Sequence, residues 1–133
     1  MRTIKFRGKL KSNGNWEYGD LLHDSFDACY IYPIEVRDSY KNNEVIPETV
    51  GQFIGLKDKN GEEIFEGDIL DFNGIITEVR FVRGVFAFLV NGNFDDELCG
   101  DCRTDLFAKI ISNIHENPDI LKESKKWITS IYN

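Results

Sequence analysis

From residue 4 the chain alternates. Ile4, Phe6, Gly8 and Leu10 fall on one side of an extended chain, and Lys5, Arg7, Lys9 and Lys11 on the other. Period two with one apolar side predicts a half-buried β-strand whose basic side is solvated. Asn13 and Gly14 follow; both tolerate positive φ, so a tight turn is expected. Trp16, Tyr18, Leu21 and Leu22 then predict the return strand of a hairpin. Residues 29–36, rich in Tyr and Ile, read as a further strand that Pro33 confines to an edge or a bend. Residues 38–44 are polar and predict an exposed loop.

Residues 45–68 are dense in turn formers. Gly51, Gly55, Gly61 and Gly67 are expected where a Cβ would be forbidden. From Ile69 the pattern becomes a meander. Strands over 69–72, 75–82 and 85–90 are separated by Asn73 with Gly74 and by Arg83 with Gly84, and Asn91, Gly92 and Asn93 end the set. Short strands at this spacing predict a mainly-β fold, and the preferred geometry is a small SH3-like barrel or roll. Residues 94–105 are acidic and irregular, and 107–114 suit a closing strand or a short helix. Asn117, Pro118 and Asp119 combine an N-cap, a proline at the first helical position and an acid in the first turn. Ile120, Leu121, Trp127, Ile128 and Ile131 then share one helical face, with Lys122, Glu123, Lys125 and Lys126 elsewhere. The expectation is one domain over 1–133, β-rich to 116 and closed by an amphipathic helix over 117–133.

Composition narrows the function classes. The chain has 133 residues, 41% of them hydrophobic and 29% charged, enough to bury a core without a disulfide or a structural metal. A formal net charge of -7 repels phosphate backbones and anionic membranes, so nucleic-acid binding would need a local basic patch. Three cysteines, an odd number, suit reduced thiols better than a disulfide framework. The opening residues do not resemble a signal peptide, and no apolar run is long enough to span a membrane. A cytoplasmic protein is expected.

Each candidate constellation has a plainer reading beside it. Cys99 and Cys102 are spaced as half a zinc site or a redox pair, but Cys29, His23 and His115 are too scattered to complete one. Asp58, Lys59, Asn60 and Gly61 hint at a calcium loop. With Gly61 at its sixth position, Leu56 and Gly67 would occupy the carboxylate positions, so a β-turn is the better reading. Asp95, Asp96, Glu97, Asp101 and Asp105 could hold magnesium or do acid–base work, but nothing converges with them, and a solvated loop is expected. No cofactor motif or nucleophile motif is present, and the two histidines are isolated. The stripe Lys5, Arg7, Lys9, Lys11, with Trp16 and Tyr18 for stacking, is the nucleic-acid candidate. Its plainer reading is a strand face whose lysines discourage aggregation.

One set of motifs is more specific. Ile4, Lys5, Phe6 and Arg7 are followed by Gly14, Asn15, Trp16, Glu17, Tyr18 and Gly19. Val50, Gly51, Gln52 and Phe53 then precede the run from Gly55 to Gly61, and Ile64, Phe65, Glu66, Gly67, Asp68 and Ile69 come next. In that order they resemble the YopX family. Asn113, Ile114, His115, Glu116, Asn117 and Pro118 resemble its C-terminal signature, with His115 standing where an aromatic residue is more usual. The resemblance spans nearly the whole chain. It implies a small phage or prophage protein, β-rich with an SH3-like portion, and it brings no activity, cofactor or catalytic residue. Cys99 and Cys102 lie outside the pattern.

Together these readings predict a non-enzymatic interaction module without a cofactor. Its partner would be a bacterial or phage protein, or a second copy of the chain. Trp127, Ile128 and Ile131 are the first candidate contacts, and the turn with Asp58, Asn60 and Gly61 the second. The alternative is a nucleic-acid-binding module built on the basic strand and the aromatic hairpin.

Overall fold

The computed structural model describes residues 2–33, 42–94 and 103–121. The chain divides into two compact units, Met1–Gly55 and Leu56–Asn133. Among the described residues there are eleven strands, in two sheets. The mainly-β expectation holds, and no closed barrel is found among the described residues.

The first unit is built on β1 (Phe6–Lys9), β2 (Trp16–His23), β3 (Cys29–Tyr32) and β4 (Glu44–Val45). Strand β5 (Gly51–Lys57) begins in this unit and ends beyond Gly55. The hydrogen-bonded order is β4-β3-β2-β1-β5, continuing to β6 (Glu63–Phe65). The expected hairpin forms, with Arg7 opposite Tyr18 and Lys9 opposite Trp16. Strand β3 stops before Pro33, which cannot donate to a ladder, but it lies between β2 and β4 and is not an edge. Residues 34–36 lie outside the described residues. Cys29, Ile31 and Val45 form the core, with Phe6, Leu10, Leu21 and Val50 packed against them. Complete burial of Ile31 and Val45 contributes about 1.5–3 kcal/mol each. Thr49 ties the strand ends together: its hydroxyl accepts the Lys9 N–H at 2.9 Å and donates to the Ile46 carbonyl at 2.6 Å.

Gly19 explains how closely β2 meets β3. A Cβ there would overlap the Tyr32 carbonyl oxygen and crowd Pro33. No other residue fits, because the obstruction is backbone and cannot rotate away.

The second unit carries the five-stranded sheet β10-β9-β8-β7-β11. Strands β7 (Asp68–Phe72), β8 (Ile75–Val82), β9 (Val85–Val90) and β10 (Asn93–Phe94) form the expected meander. Its three two-residue turns are Asn73-Gly74, Arg83-Gly84 and Asn91-Gly92, and all six residues have positive φ. That is the primed geometry which follows the right-handed strand twist. Ile64, Phe65, Ile69, Leu70, Val79, Ala87 and Phe88 are buried, and the Phe72 and Phe88 rings meet edge-on at 5.5 Å.

Strand β11 (Ala108–Asn113) takes up the closing-strand alternative for residues 107–114. It pairs with β7, from Ala108 opposite Phe72 to Asn113 opposite Asp68, with a bulge between Ile110 and Ser112. A short helical turn, Thr104–Phe107, precedes it, beginning at the end of the stretch expected to be irregular and running past it. Of the four central glycines, Gly55, Gly61 and Gly67 have positive φ, whereas Gly51 sits in β5 opposite Arg7. Helix begins at Asp119. Asn117 receives the Ile120 N–H on its backbone carbonyl, and its side-chain amide donates to Ser112 Oγ. Trp127, Ile128 and Ile131 lie outside the described residues, as do Cys99 and Cys102.

Candidate functional site

The sheet of the first unit has two unlike faces. One holds the Ile31 and Val45 core. Register places Lys5, Arg7 and Lys9 of the first strand segment on the other, beside Trp16, Tyr18, Asp20 and Leu22 of β2 and Tyr32 and Tyr30 of β3, because alternate residues of paired strands share a face. The nucleic-acid candidates are thus brought together with two further tyrosines. Tyr30 and Tyr32 are not among the sequence candidates for a site, although the alternation of Cys29 and Ile31 with Tyr30 and Tyr32 carries the signal.

The basic stripe is not a row of solvated charges. Arg7 is 6% exposed, which overturns the expectation that this side of β1 faces water. Its guanidinium lies 4.6 Å from the centroid of the Trp16 ring, and the Lys9 ammonium lies 5.4 Å from it; both are cation–π distances. The indole is thereby already in contact with two cations. Lys11 pairs with Glu44 at 2.8 Å, and that hydrogen bond and charge raise its pKa. Exposure on this face is greatest on β2, where Tyr18 is 44% and Leu22 52% exposed, while Tyr30 and Tyr32 of β3 are half-buried.

At the β2–β3 turn, Asp24 is the organising residue. Its Oδ1 accepts the Phe26 and Ala28 N–H groups at 2.9 and 3.0 Å, and its Oδ2 accepts the Tyr30 hydroxyl at 3.0 Å. The Phe26 N–H leads in holding the Asp24 carboxyl below the usual carboxylate range. The same hydroxyl bond raises the Tyr30 pKa. The Tyr30 and Tyr32 rings are nearly parallel, 17° apart in plane and 6.5 Å between centroids.

The second candidate contact is divided by the structure. Asn60 and Gly61 are exposed, but Asp58 is only 3% exposed and acts inside the fold. Its Oδ1 accepts Asn60 N–H and Glu62 N–H, both at 2.9 Å, and its Oδ2 accepts Ile110 N–H at 3.0 Å. Lys59 N–H adds a bond to the Ala108 carbonyl, and Thr104 Oγ1 donates to the Lys57 carbonyl. The turn is a clamp between β5, β6 and β11, and both oxygens of the Asp58 carboxylate are engaged in it.

The remaining candidates stay apart. Asp105 forms a two-pronged pair with Arg103 at 3.1 Å, and that bond lowers its pKa; Asp95, Asp96, Glu97 and Asp101 lie outside the described residues. No group of three or more His, Cys, Asp or Glu side chains able to hold a metal occurs among the described residues. Cys29 is buried, and desolvation raises its thiol pKa, the opposite of an activated cysteine. His23 ends β2 opposite Cys29. His115 lies against Gly67, where a Cβ would come 3.2 Å from its Nε2. No helix among the described residues is long and apolar enough to cross a membrane.

Comparison with known proteins bears on this arrangement. The family model described as "YopX protein" matches residues 5–122. The chain belongs to the YopX family. A solved structure, protein EF1440 from Enterococcus faecalis, superposes with a TM-score of 0.56 at 24% identity, covering 91% of this chain and 99% of that one; this likeness concerns the fold alone. No curated protein matches the chain. The motifs by which this YopX chain was read serve as fold joints. Asp58 clamps β11, Gly67 O accepts the Ile114 N–H at 2.8 Å, and Asn113 Oδ1 accepts the N–H groups of His115 and Glu116 at 3.0 Å.

Proposed function

We propose that this YopX protein is a non-enzymatic protein-interaction module of phage or prophage origin, working in the host cytoplasm. In this reading it docks a protein partner through the aromatic face of its first sheet. The observation that carries this is the register of β1, β2 and β3, which gathers Trp16, Tyr18, Leu22, Tyr30 and Tyr32 on one face. Trp, Tyr and Arg are the residues that dominate protein interfaces. Rigid aromatic rings on paired strands lose little entropy when a partner covers them. Arg7 and Lys9 support the face from within by holding the Trp16 ring.

A second reading, nucleic-acid binding, is favoured by one observation. The acidity is uneven: residues 1–55 carry seven Lys or Arg against eight Asp or Glu, and residues 56–133 nine against fifteen. The first unit is therefore at -1 of the total -7, and the global field argues less strongly against a polyanion there. Against this reading stand the contacts that Arg7, Lys9 and Lys11 already make.

The test is a photo-crosslinking amino acid placed at Tyr18 or Leu22, with Arg80 of β8 as control, expressed in host cells. Discrete crosslinked proteins from positions 18 and 22 that resist nuclease, and none from 80, are the expected result. Crosslinks that collapse under nuclease would move the assignment to nucleic acid. Equal crosslinking from all three positions would sink the docking face.

A further inference from the structure

We propose that Asn91 is a modification site, where the folded chain converts asparagine to aspartate and isoaspartate without an enzyme. The reaction needs only water. The backbone nitrogen of the next residue loses its proton and attacks the asparagine Cγ. A bond forms between that nitrogen and Cγ, the Cγ–Nδ2 bond breaks, and Nδ2 takes up a proton and leaves as ammonia. Water then opens the cyclic imide at either carbonyl, giving aspartate or isoaspartate. A glycine in the next position favours the attack, because no Cβ stands beside its nitrogen.

The chain has four Asn-Gly pairs, beginning at Asn13, Asn60, Asn73 and Asn91, and the fold treats them differently. Gly14 N–H donates to the Leu10 carbonyl at 2.8 Å, Gly61 N–H to the Asp58 carbonyl at 3.0 Å, and Gly74 N–H to Asp71 Oδ1 at 2.6 Å. A nitrogen held in this way must give up its hydrogen bond before it can lose the proton. Gly92 N–H has no such acceptor among the described residues. Gly92 is also exposed, and a Cβ there would meet nothing within 4 Å, which leaves room for water and for the imide ring.

Closing the imide moves the backbone of the turn, so the cost of local opening counts as well. The Asn91 turn leads into β10, which has two residues and stands at the edge of its sheet. Asn73 lies between β7 and β8, of five and eight residues. The Asn60 N–H is held by Asp58, and the Asn13 side chain accepts the Asn15 N–H at 2.9 Å. Isoaspartate routes the main chain through the side-chain carbon and lengthens a turn whose geometry depends on having two residues. The pairing of Asn93 with Val90 and of Phe94 with Leu89 is what the change loosens, and either product adds a negative charge.

The experiment incubates the full chain at mildly alkaline pH, native and in urea. All four sites are followed by peptide mass spectrometry, with fragmentation that separates aspartate from isoaspartate. In the native chain Asn91 is expected to lead Asn13, Asn60 and Asn73 by at least about fivefold in rate, the equivalent of one hydrogen bond. In urea that lead should disappear. Asp71→Ala removes the acceptor of the Gly74 N–H and should speed Asn73 by about fivefold while Asn91 keeps its rate. Another pair reacting as fast as Asn91 in the native chain would overturn the site. A lead that persists in urea, or an Asn73 rate unchanged by Asp71→Ala, would overturn the structural cause assigned to it.

Discussion

Asp58 reaches Ile110 across 52 residues of chain: its Oδ2 accepts the Ile110 N–H at 3.0 Å while its Oδ1 holds two N–H groups of its own turn. A buried carboxylate with three backbone donors is a structural part, because removing it strands all three. Asp58→Ala is expected to destabilise the fold by about 3 kcal/mol, and Asp58→Asn, which keeps one acceptor, by less. Urea denaturation of both variants checks the order. An Asp58→Ala midpoint equal to wild type would mean that the clamp carries no weight.

Gly19 and Gly74 separate two uses of glycine. At Gly19 an added Cβ meets the Tyr32 backbone, whereas at Gly74, with φ +99°, it meets nothing within 4 Å. Gly19→Ala should cost at least about 3 kcal/mol through overpacking against atoms that cannot move aside. Gly74→Ala should cost about 1–2 kcal/mol, the backbone penalty alone. Thermal melts of the two variants are the measurement, and similar losses would contradict the steric account.

Thr77 is fully buried, and its hydroxyl has no hydrogen-bond partner among the described residues. Replacing it with the isosteric valine removes a desolvated polar group. Thr77→Val is therefore expected to raise stability by about 1 kcal/mol. A loss on chemical denaturation would show that the hydroxyl is engaged.

Asp24 should give the fold an acid-sensitive joint. Its folded pKa is depressed, first by the Phe26 N–H and also by the Ala28 N–H and the Tyr30 hydroxyl. A depressed carboxyl contributes stability that is present above its unfolded pKa and is lost as pH falls through the folded value. Stability should therefore drop between about pH 5 and pH 2. In Asp24→Asn that drop should be shallower, though not absent, since the Asp105 pKa is lowered too. Urea midpoints across this range read the slope, and identical slopes would remove Asp24 from the account.

Local signals made much of this protein legible from its residues. The meander from Asp68 to Val90 follows from alternating apolar runs broken at residue pairs that accept positive φ, and the structure has those turns at Asn73-Gly74 and Arg83-Gly84. The β1–β2 hairpin follows from the same logic, and the ordered motifs were sufficient to indicate the family. These features depend on neighbours within a few residues, where backbone sterics and the pleat act directly.

Three things needed the tertiary structure. The pairing of β11 with β7 joins segments about forty residues apart, and no short-range pattern names the partner strand. The burial of Arg7 depends on what covers its face, which alternation cannot reveal; period two says only that Arg7 and Phe6 point in opposite directions. The meeting of Trp16, Tyr18, Tyr30 and Tyr32 depends on register, and a slip of one residue would send the tyrosines to the opposite face. Sequence alone determined the class, the turns and the family. The geometry of the site was decided by long-range pairing, whose energy is spread over contacts that no single stretch of chain contains.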